Sequence, residues 1–267
     1  MINYRNFYGL MKEPFSQEIK IAELYPTPAL QSAAERLLYA VDLCAVAVVT
    51  GEIGSGKSTT LRYAISKLHP SLYRVIPVVA STGTVLEILR QIALSLNMEC
   101  KSTSIATLLK LIRSIITEIS QKKQVPVLVI DEAQLMRLEV FAQLHTISQF
   151  EMDSKPVMPI IFAGQNNLLD KLLYYTSRPL ASRVVGRTHL EGLKLKEMAG
   201  YLKHHLEMAG IKEQLFSEEA ILAIHQSSGG LLRRANLLAR GSLLAGAREG
   251  CKMISAEHVR IASTELI

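Results

Sequence analysis

Hydrophobic positions follow two rhythms along this chain: short β-branched runs, and longer segments in which apolar residues recur every three to four positions. Ala29 to Leu43 has the longer, helical rhythm, and Cys44 to Thr50 (CAVAVVT) is the first short run, predicting a buried parallel strand. Helical periodicity resumes from Ser58 to Leu68. Val75 to Ala80 predicts a second strand, and helices follow over 85–97 and 105–120, separated by the polar stretch Glu99 to Ser104. Val125 to Ile130 (VPVLVI) is a third strand, Leu138 to Phe150 a helix, Pro159 to Ala163 a fourth strand and Arg187 to Leu190 a fifth. This alternation predicts an α/β fold with a parallel sheet sandwiched by helices. After about Leu193 only helical patterns remain, over 196–209, 217–226, 231–246 and 255–264, with Ser217 and Ser255 placed as N-terminal caps. The expected organisation is an aromatic and proline-bearing opening at 1–28, an α/β domain at 29–192 and a small helical lid at 193–267.

Composition narrows the class. The 49% hydrophobic content over 267 residues supplies ample core, while the 6% aromatic content without Trp suits helices on a parallel sheet better than a β-sandwich. Cys44, Cys100 and Cys251 are odd in number, widely spaced and lack metal-ligand spacing, so a reducing, cytoplasmic setting is expected, with Cys44 as a small core residue. The N-terminus lacks the layout of a signal peptide, and no apolar stretch reaches the length of a membrane span. A net charge of +6 leans toward a polyanionic partner.

The chemistry is concentrated at two strand ends. Gly51-Glu52-Ile53-Gly54-Ser55-Gly56-Lys57-Ser58 matches the full phosphate-loop pattern, with a strand before it and a helix after it. Glycines let successive backbone N–H groups curl around phosphates, and the following helix adds positive potential at its start. Lys57 is the expected contact to the β and γ phosphates, Ser58 the expected Mg²⁺ ligand, and Thr59 a further nucleotide contact; ATP and Mg²⁺ are the implied cofactors. The third strand ends in Asp131-Glu132. Asp131 is placed to hold the Mg²⁺ shell and Glu132 to polarise the attacking water, a pairing that favours hydrolysis over phosphoryl transfer to another acceptor.

The phosphate loop, the quartet Asp131-Glu132-Ala133-Gln134 and the helical tail together resemble the AAA+ ATPases over nearly the whole chain. Phe7-Tyr8-Gly9-Leu10, Pro14-Phe15-Ser16, Ala163-Gly164-Gln165 and Gly230-Leu231-Leu232-Arg233-Arg234-Ala235-Asn236 are similar to the ExeA/GspA family, which includes the cytoplasmic ATPase of a secretion-associated membrane protein. The chain also resembles the transposon-carried ATPases of the TnsC, TniB and Mu B types. This resemblance implies that Gln165 is the sensor 1 group, with Asn166 and Asn167 beside it, and that Arg233 is sensor 2; Leu232 stands where the family commonly has Pro. It further implies that Arg183 is an arginine finger donated in trans, with Arg178 and Arg187 as nearby competitors, in a homo-oligomeric ring or helical filament. The opening segment is then expected to pack near the nucleotide.

Two roles follow from the resemblance. The first is an ATP-dependent oligomer on duplex DNA that recruits or stimulates a transposase; the second is a secretion-assembly ATPase. The secretion protein would continue into a membrane span and a peptidoglycan-binding region, whereas this chain stops at Ile267, which tilts the expectation toward transposition. DNA contacts would go to phosphates without sequence preference, through segments that line the pore in TnsC-like rings: Thr82 and Thr84, and Lys101, Ser102 and Thr103.

Overall fold

The computed structural model describes residues 4–98 and 104–265. In chain order the elements are α1 (Tyr4–Tyr8), α2 (Pro28–Asp42), β1 (Val46–Gly51), α3 (Lys57–Ile65), β2 (Tyr73–Val79), α4 (Val85–Ser95) and α5 (Ile105–Gln121). There follow β3 (Val125–Asp131), α6 (Leu138–Ser148), β4 (Ile160–Gly164), α7 (Asn167–Leu173), α8 (Arg178–Ala181) and β5 (Val184–Leu190). The tail is α9 (Leu195–Met208), α10 (Glu218–Ser228), α11 (Leu232–Arg248) and α12 (Ala256–Thr264). The chain divides into two compact units, Pro28–Gly51 with Lys57–Leu190, and Met1–Thr27 with Glu52–Gly56 and Glu191–Ile267.

The first unit is built on one parallel sheet of five strands in the order β2-β3-β4-β1-β5. Because successive side chains on a strand point to opposite faces, each central strand feeds two cores. Val46, Val48, Leu128, Ile130, Ile160 and Phe162 face one way and pack with α4, α5 and α6 through Ile92, Ile112 and Phe141. Ala47, Val49, Val127, Val129, Ile161 and Ala163 face the other way, against Leu37 and Val41 of α2 and Leu61 and Ala64 of α3. Each fully buried Leu, Ile, Val or Phe side chain contributes roughly 1.5–3 kcal/mol, so a run such as VPVLVI commits its segment to the interior. At one sheet edge, β2 carries Pro77, a residue without an N–H that belongs on an outer strand.

The second unit is helical. Tyr8, Leu10 and Phe15 from the opening segment lie buried among Met198, Leu202, Leu206, Phe216, Leu238 and Ile254. Polar links tie them down: the Tyr8 hydroxyl donates to the Cys251 carbonyl at 2.9 Å and His205 Nδ1 donates to the Pro14 carbonyl at 2.7 Å. Ser217 caps α10 by accepting the Ala220 N–H at 3.2 Å, as its sequence position predicts.

Some expectations shift. Cys44 is half-buried in the turn before β1, with φ at 49°, and is not a core residue, because the chain reverses there after α2. The last strand begins at Val184, not Arg187, since parallel pairing to β1 starts at Val46. The short helices α1, α7 and α8 have no counterpart in the sequence reading; at four to seven residues they are too brief for periodicity to register. Among the described residues no helix is long and apolar enough to cross a membrane.

Candidate functional site

The site is assembled where β1, β3 and β4 end. On the sheet unit, Lys57 opens α3 and is only 6% exposed; its Nζ donates to the Gly51 carbonyl at 3.0 Å. Burial of an ammonium is costly unless something of opposite charge or a strong acceptor meets it, so its place is set by the strand end and loop. Ser58, the next residue, donates its hydroxyl to Asp131 Oδ2 at 2.7 Å, joining the helix after β1 to the end of β3. The other oxygen, Oδ1, accepts the Glu132 N–H at 2.8 Å. Both oxygens of Asp131 are thus oriented, one of them onto the serine that a metal ion would share with it.

Glu132 has left-handed backbone, φ 53° and ψ 31°, at the start of the short turn Ala133–Leu135. A glutamate adopts that region at a cost and needs its surroundings to hold it there. The holding groups are Gln134, whose Nε2 donates to Glu132 Oε2 at 2.6 Å, and Lys171, whose Nζ donates to the Gln134 and Met136 carbonyls at 2.5 and 2.6 Å. Gln165 stands at the end of β4, and its backbone N–H donates to Gln134 Oε1 at 3.1 Å. Asn166 and Asn167 are exposed and begin α7.

The tip of the phosphate loop, Glu52–Gly56, clusters with the helical unit. Gly54 and Gly56 have φ of +86° and +98°, which only glycine adopts at little cost. A Cβ on Gly54 would also lie 2.8 Å from the Arg233 Cβ, and the Arg233 N–H donates to the Gly54 carbonyl at 3.3 Å. Arg233 therefore stands at the loop tip with an exposed side chain. The Ser55 hydroxyl is buried without a hydrogen-bond partner among the described residues, an orphan that a phosphate oxygen would satisfy. Taken by itself, the loop tip with this orphan hydroxyl fits a phosphate group, and on the sheet unit the Ser58–Asp131 pair fits a shared Mg²⁺.

Arg183 lies at the other end of the sheet. Its carbonyl accepts the Val46 N–H at 3.0 Å where β1 begins, about 17 Å along the strand from Gly51 at the usual strand rise. Its Nη1 donates to the Ser148 hydroxyl at 3.1 Å, at the end of α6. Arg178 and Arg187 are exposed. Of the positions expected to contact DNA, Thr82 is exposed and its carbonyl accepts the Arg137 Nε–H at 3.2 Å. Thr84 precedes α4 and its N–H donates to Glu87 Oε2 at 2.5 Å, an N-terminal cap. Lys101, Ser102 and Thr103 lie outside the described residues.

The sequence reading placed Gln134 in the acidic quartet without giving it a task, and it did not single out Lys171. A polar side chain two positions after the acid, followed by a strand ending in Gly164, was the available signal for Gln134; nothing in the sequence marks Lys171. Among the described residues, Glu249, Cys251 and His258 also bring ligating atoms within 4.8 Å of one another. His258 Nδ1 accepts the Ser255 N–H at 2.9 Å, so Nε2 carries the hydrogen and donates to Glu249 Oε2 at 3.1 Å. That arrangement is a helix cap extended to an acid and leaves no imidazole lone pair for a metal.

Comparison with known proteins agrees with the geometry. Residues 41–172 match the family described as AAA domain. Over 266 residues the chain is 29% identical to General secretion pathway protein A of Aeromonas hydrophila, a match covering 98% of this chain and 48% of that relative. It thus spans about half the length of the curated relative it matches. Among solved structures it is similar to Cdc6p from Pyrobaculum aerophilum, with a TM-score of 0.76 and 18% identity over 95% of this chain and 70% of that one. The ORC1 protein of Aeropyrum pernix, solved in complex with DNA, gives a TM-score of 0.70 and 16% identity over 96% of this chain and 69% of that one. Sheet order, phosphate loop and matched region converge, and the chain has the AAA+ P-loop NTPase fold.

Proposed function

We propose that this chain is a Mg²⁺-dependent ATP hydrolase. The observation that carries the reading is the Ser58 hydroxyl on Asp131 Oδ2 at 2.7 Å, with Glu132 next in the chain. Bound Mg²⁺ would neutralise charge on the β and γ phosphates. Loop N–H groups from Gly51 to Thr59 and the Lys57 ammonium bind and orient the triphosphate. Glu132 takes a proton from the attacking water. Gln165 and Arg233 act as polar groups at the phosphates, and Arg183, too distant along the sheet to serve its own loop, acts on the site of a second copy.

Lys57→Ala and Glu132→Gln separate binding from chemistry. Lys57→Ala should lose ATP affinity, whereas Glu132→Gln should bind ATP and lose turnover by roughly 100-fold or more, in a measurement of nucleotide binding and phosphate release. Wild-type phosphate release by Glu132→Gln would remove that residue from the mechanism.

For the biological role, 29% identity across 98% of the chain to General secretion pathway protein A supports a secretion-assembly ATPase. Since the chain spans 48% of that relative, its end at Ile267 does not count against this role. Regulation of a transposase by an ATP-dependent oligomer on duplex DNA is the second reading. It rests on the motif resemblance and the net charge of +6, and the same fold is found on DNA in the ORC1 structure. Fluorescence anisotropy with duplex DNA, under ATP, ADP and no nucleotide at two salt concentrations, separates the two. The DNA reading expects ATP-dependent binding that falls steeply with salt and ignores base sequence; no binding to duplex at low salt with ATP leaves the secretion role.

A further inference from the structure

Gln134 is buried, 4% exposed, in a layer where an unmet amide would be costly. Its side chain spans the ends of two strands. Nε2 donates to Glu132 Oε2 at 2.6 Å, and Oε1 accepts the Gln165 N–H at 3.1 Å. The partners settle the orientation of the amide, because a carboxylate oxygen here accepts and a backbone N–H only donates. Gly164 makes room for it: a Cβ there would stand 2.6 Å from Gln134 Oε1. Lys171 fixes the turn from the other side through the Gln134 and Met136 carbonyls. The bridge meets the one residue of the acid pair whose backbone is left-handed, and so the one that needs restraint.

We infer that Gln134 is the positioning residue for Glu132: it clamps one carboxylate oxygen and ties it to the backbone of Gln165, leaving Oε1 of Glu132 to accept the proton of the attacking water. This rests on the hydrolase reading above. A clamp of this kind acts on the geometry of the base, since an oxygen displaced by about an ångström loses much of its catalytic value. It also links the base to the strand end that carries Gln165. The charged groups around the bridge are Asp131, whose Oδ1 accepts the Glu132 N–H, and Lys171 on α7.

The test compares Gln134→Met, which keeps volume and loses both hydrogen bonds, with Gln134→Glu, which keeps the acceptor for Gln165 and sets a second carboxylate against Glu132. Full-length protein with Mg²⁺ and ATP is assayed for kcat, KM and the pH dependence of kcat. Gln134→Met should lose roughly 10- to 100-fold in kcat with KM nearly unchanged. Gln134→Glu should move the acid limb of the profile up by about one pH unit or more, because adjacent carboxylates share a proton. A purely architectural role would lower nucleotide affinity and melting temperature without moving that limb. Wild-type kcat in Gln134→Met, or loss of kcat and ATP affinity together with an unmoved limb in Gln134→Glu, overturns the inference. If Gln134→Met does not fold, the split between kcat and KM in Gln134→Glu decides: loss of kcat with KM nearly unchanged upholds the clamp, and unchanged kcat overturns it. Glu132→Gln serves as the separate control: normal turnover there defeats the hydrolase reading of the base, while a dead Glu132→Gln beside a normal Gln134→Met defeats only the clamp.

Discussion

His205 is 4% exposed, with its ring against Phe15 and Tyr201 and its Nδ1–H given to the Pro14 carbonyl. Burial pushes its pKa down to about 4, with the neighbouring His204 and Lys12 acting in the same direction and the Pro14 bond opposing. The folded value lies below the ordinary 6.5, so on acidification the unfolded chain takes up the proton first. The stabilisation is whole above pH of about 6.5 and drains away as the pH falls toward about 4. Between pH 7 and 5 this one group should cost about 2 kcal/mol of stability. Denaturant unfolding at the two pH values checks it: His205→Gln, whatever its own stability at pH 7, should lose about 2 kcal/mol less than wild type on acidification. Equal losses would show that another group carries the acid sensitivity.

At the scale of elements, what could be read in advance was what repeats. VPVLVI and CAVAVVT announce buried strands because both faces of a central parallel strand are covered, and the structure buries β1 throughout and all but the ends of β3. Longer helices such as α5 and α11 declare themselves over four or more turns. The phosphate loop and the Asp131-Glu132 strand end stood out for a different reason, a fixed local spacing of residue types, and the structure joins the two through the Ser58–Asp131 hydrogen bond. What stayed hidden depends on neighbours distant in sequence. The bridge from Gln134 to Gln165 spans 31 positions, and Lys171 reaches back 37 to the Gln134 carbonyl. No local pattern encodes either. Thr84 belongs with what stayed hidden: the sequence placed it in a polar stretch, and its N–H also meets Glu87 in the cap of α4.

At the scale of the whole molecule, Arg183 lies beside the start of β1. Under the proposed function it completes the site of a second copy. Arg183→Ala should then bind ATP normally and hydrolyse it about 1,000-fold or more slowly. Mixing it with inactive Lys57→Ala protein should restore part of the activity, because a mixed pair joins an intact pocket to an intact arginine. Mixtures that co-assemble and stay inactive would transfer the role to Arg178 or Arg187. A different consequence follows from the helical unit, which draws on both ends of the sequence: Tyr8 meets Cys251 across 243 positions and Pro14 meets His205 across 191. A ribosome therefore releases Tyr8, Leu10 and Phe15 long before the helices that bury them exist, and contacts so remote in sequence close late. The sheet unit can complete itself in the meantime, since domains fold as units during synthesis. Through that interval Tyr8, Leu10 and Phe15 lack the partners that cover them in the folded unit, which are complete only once translation has passed Ile254 and Val259.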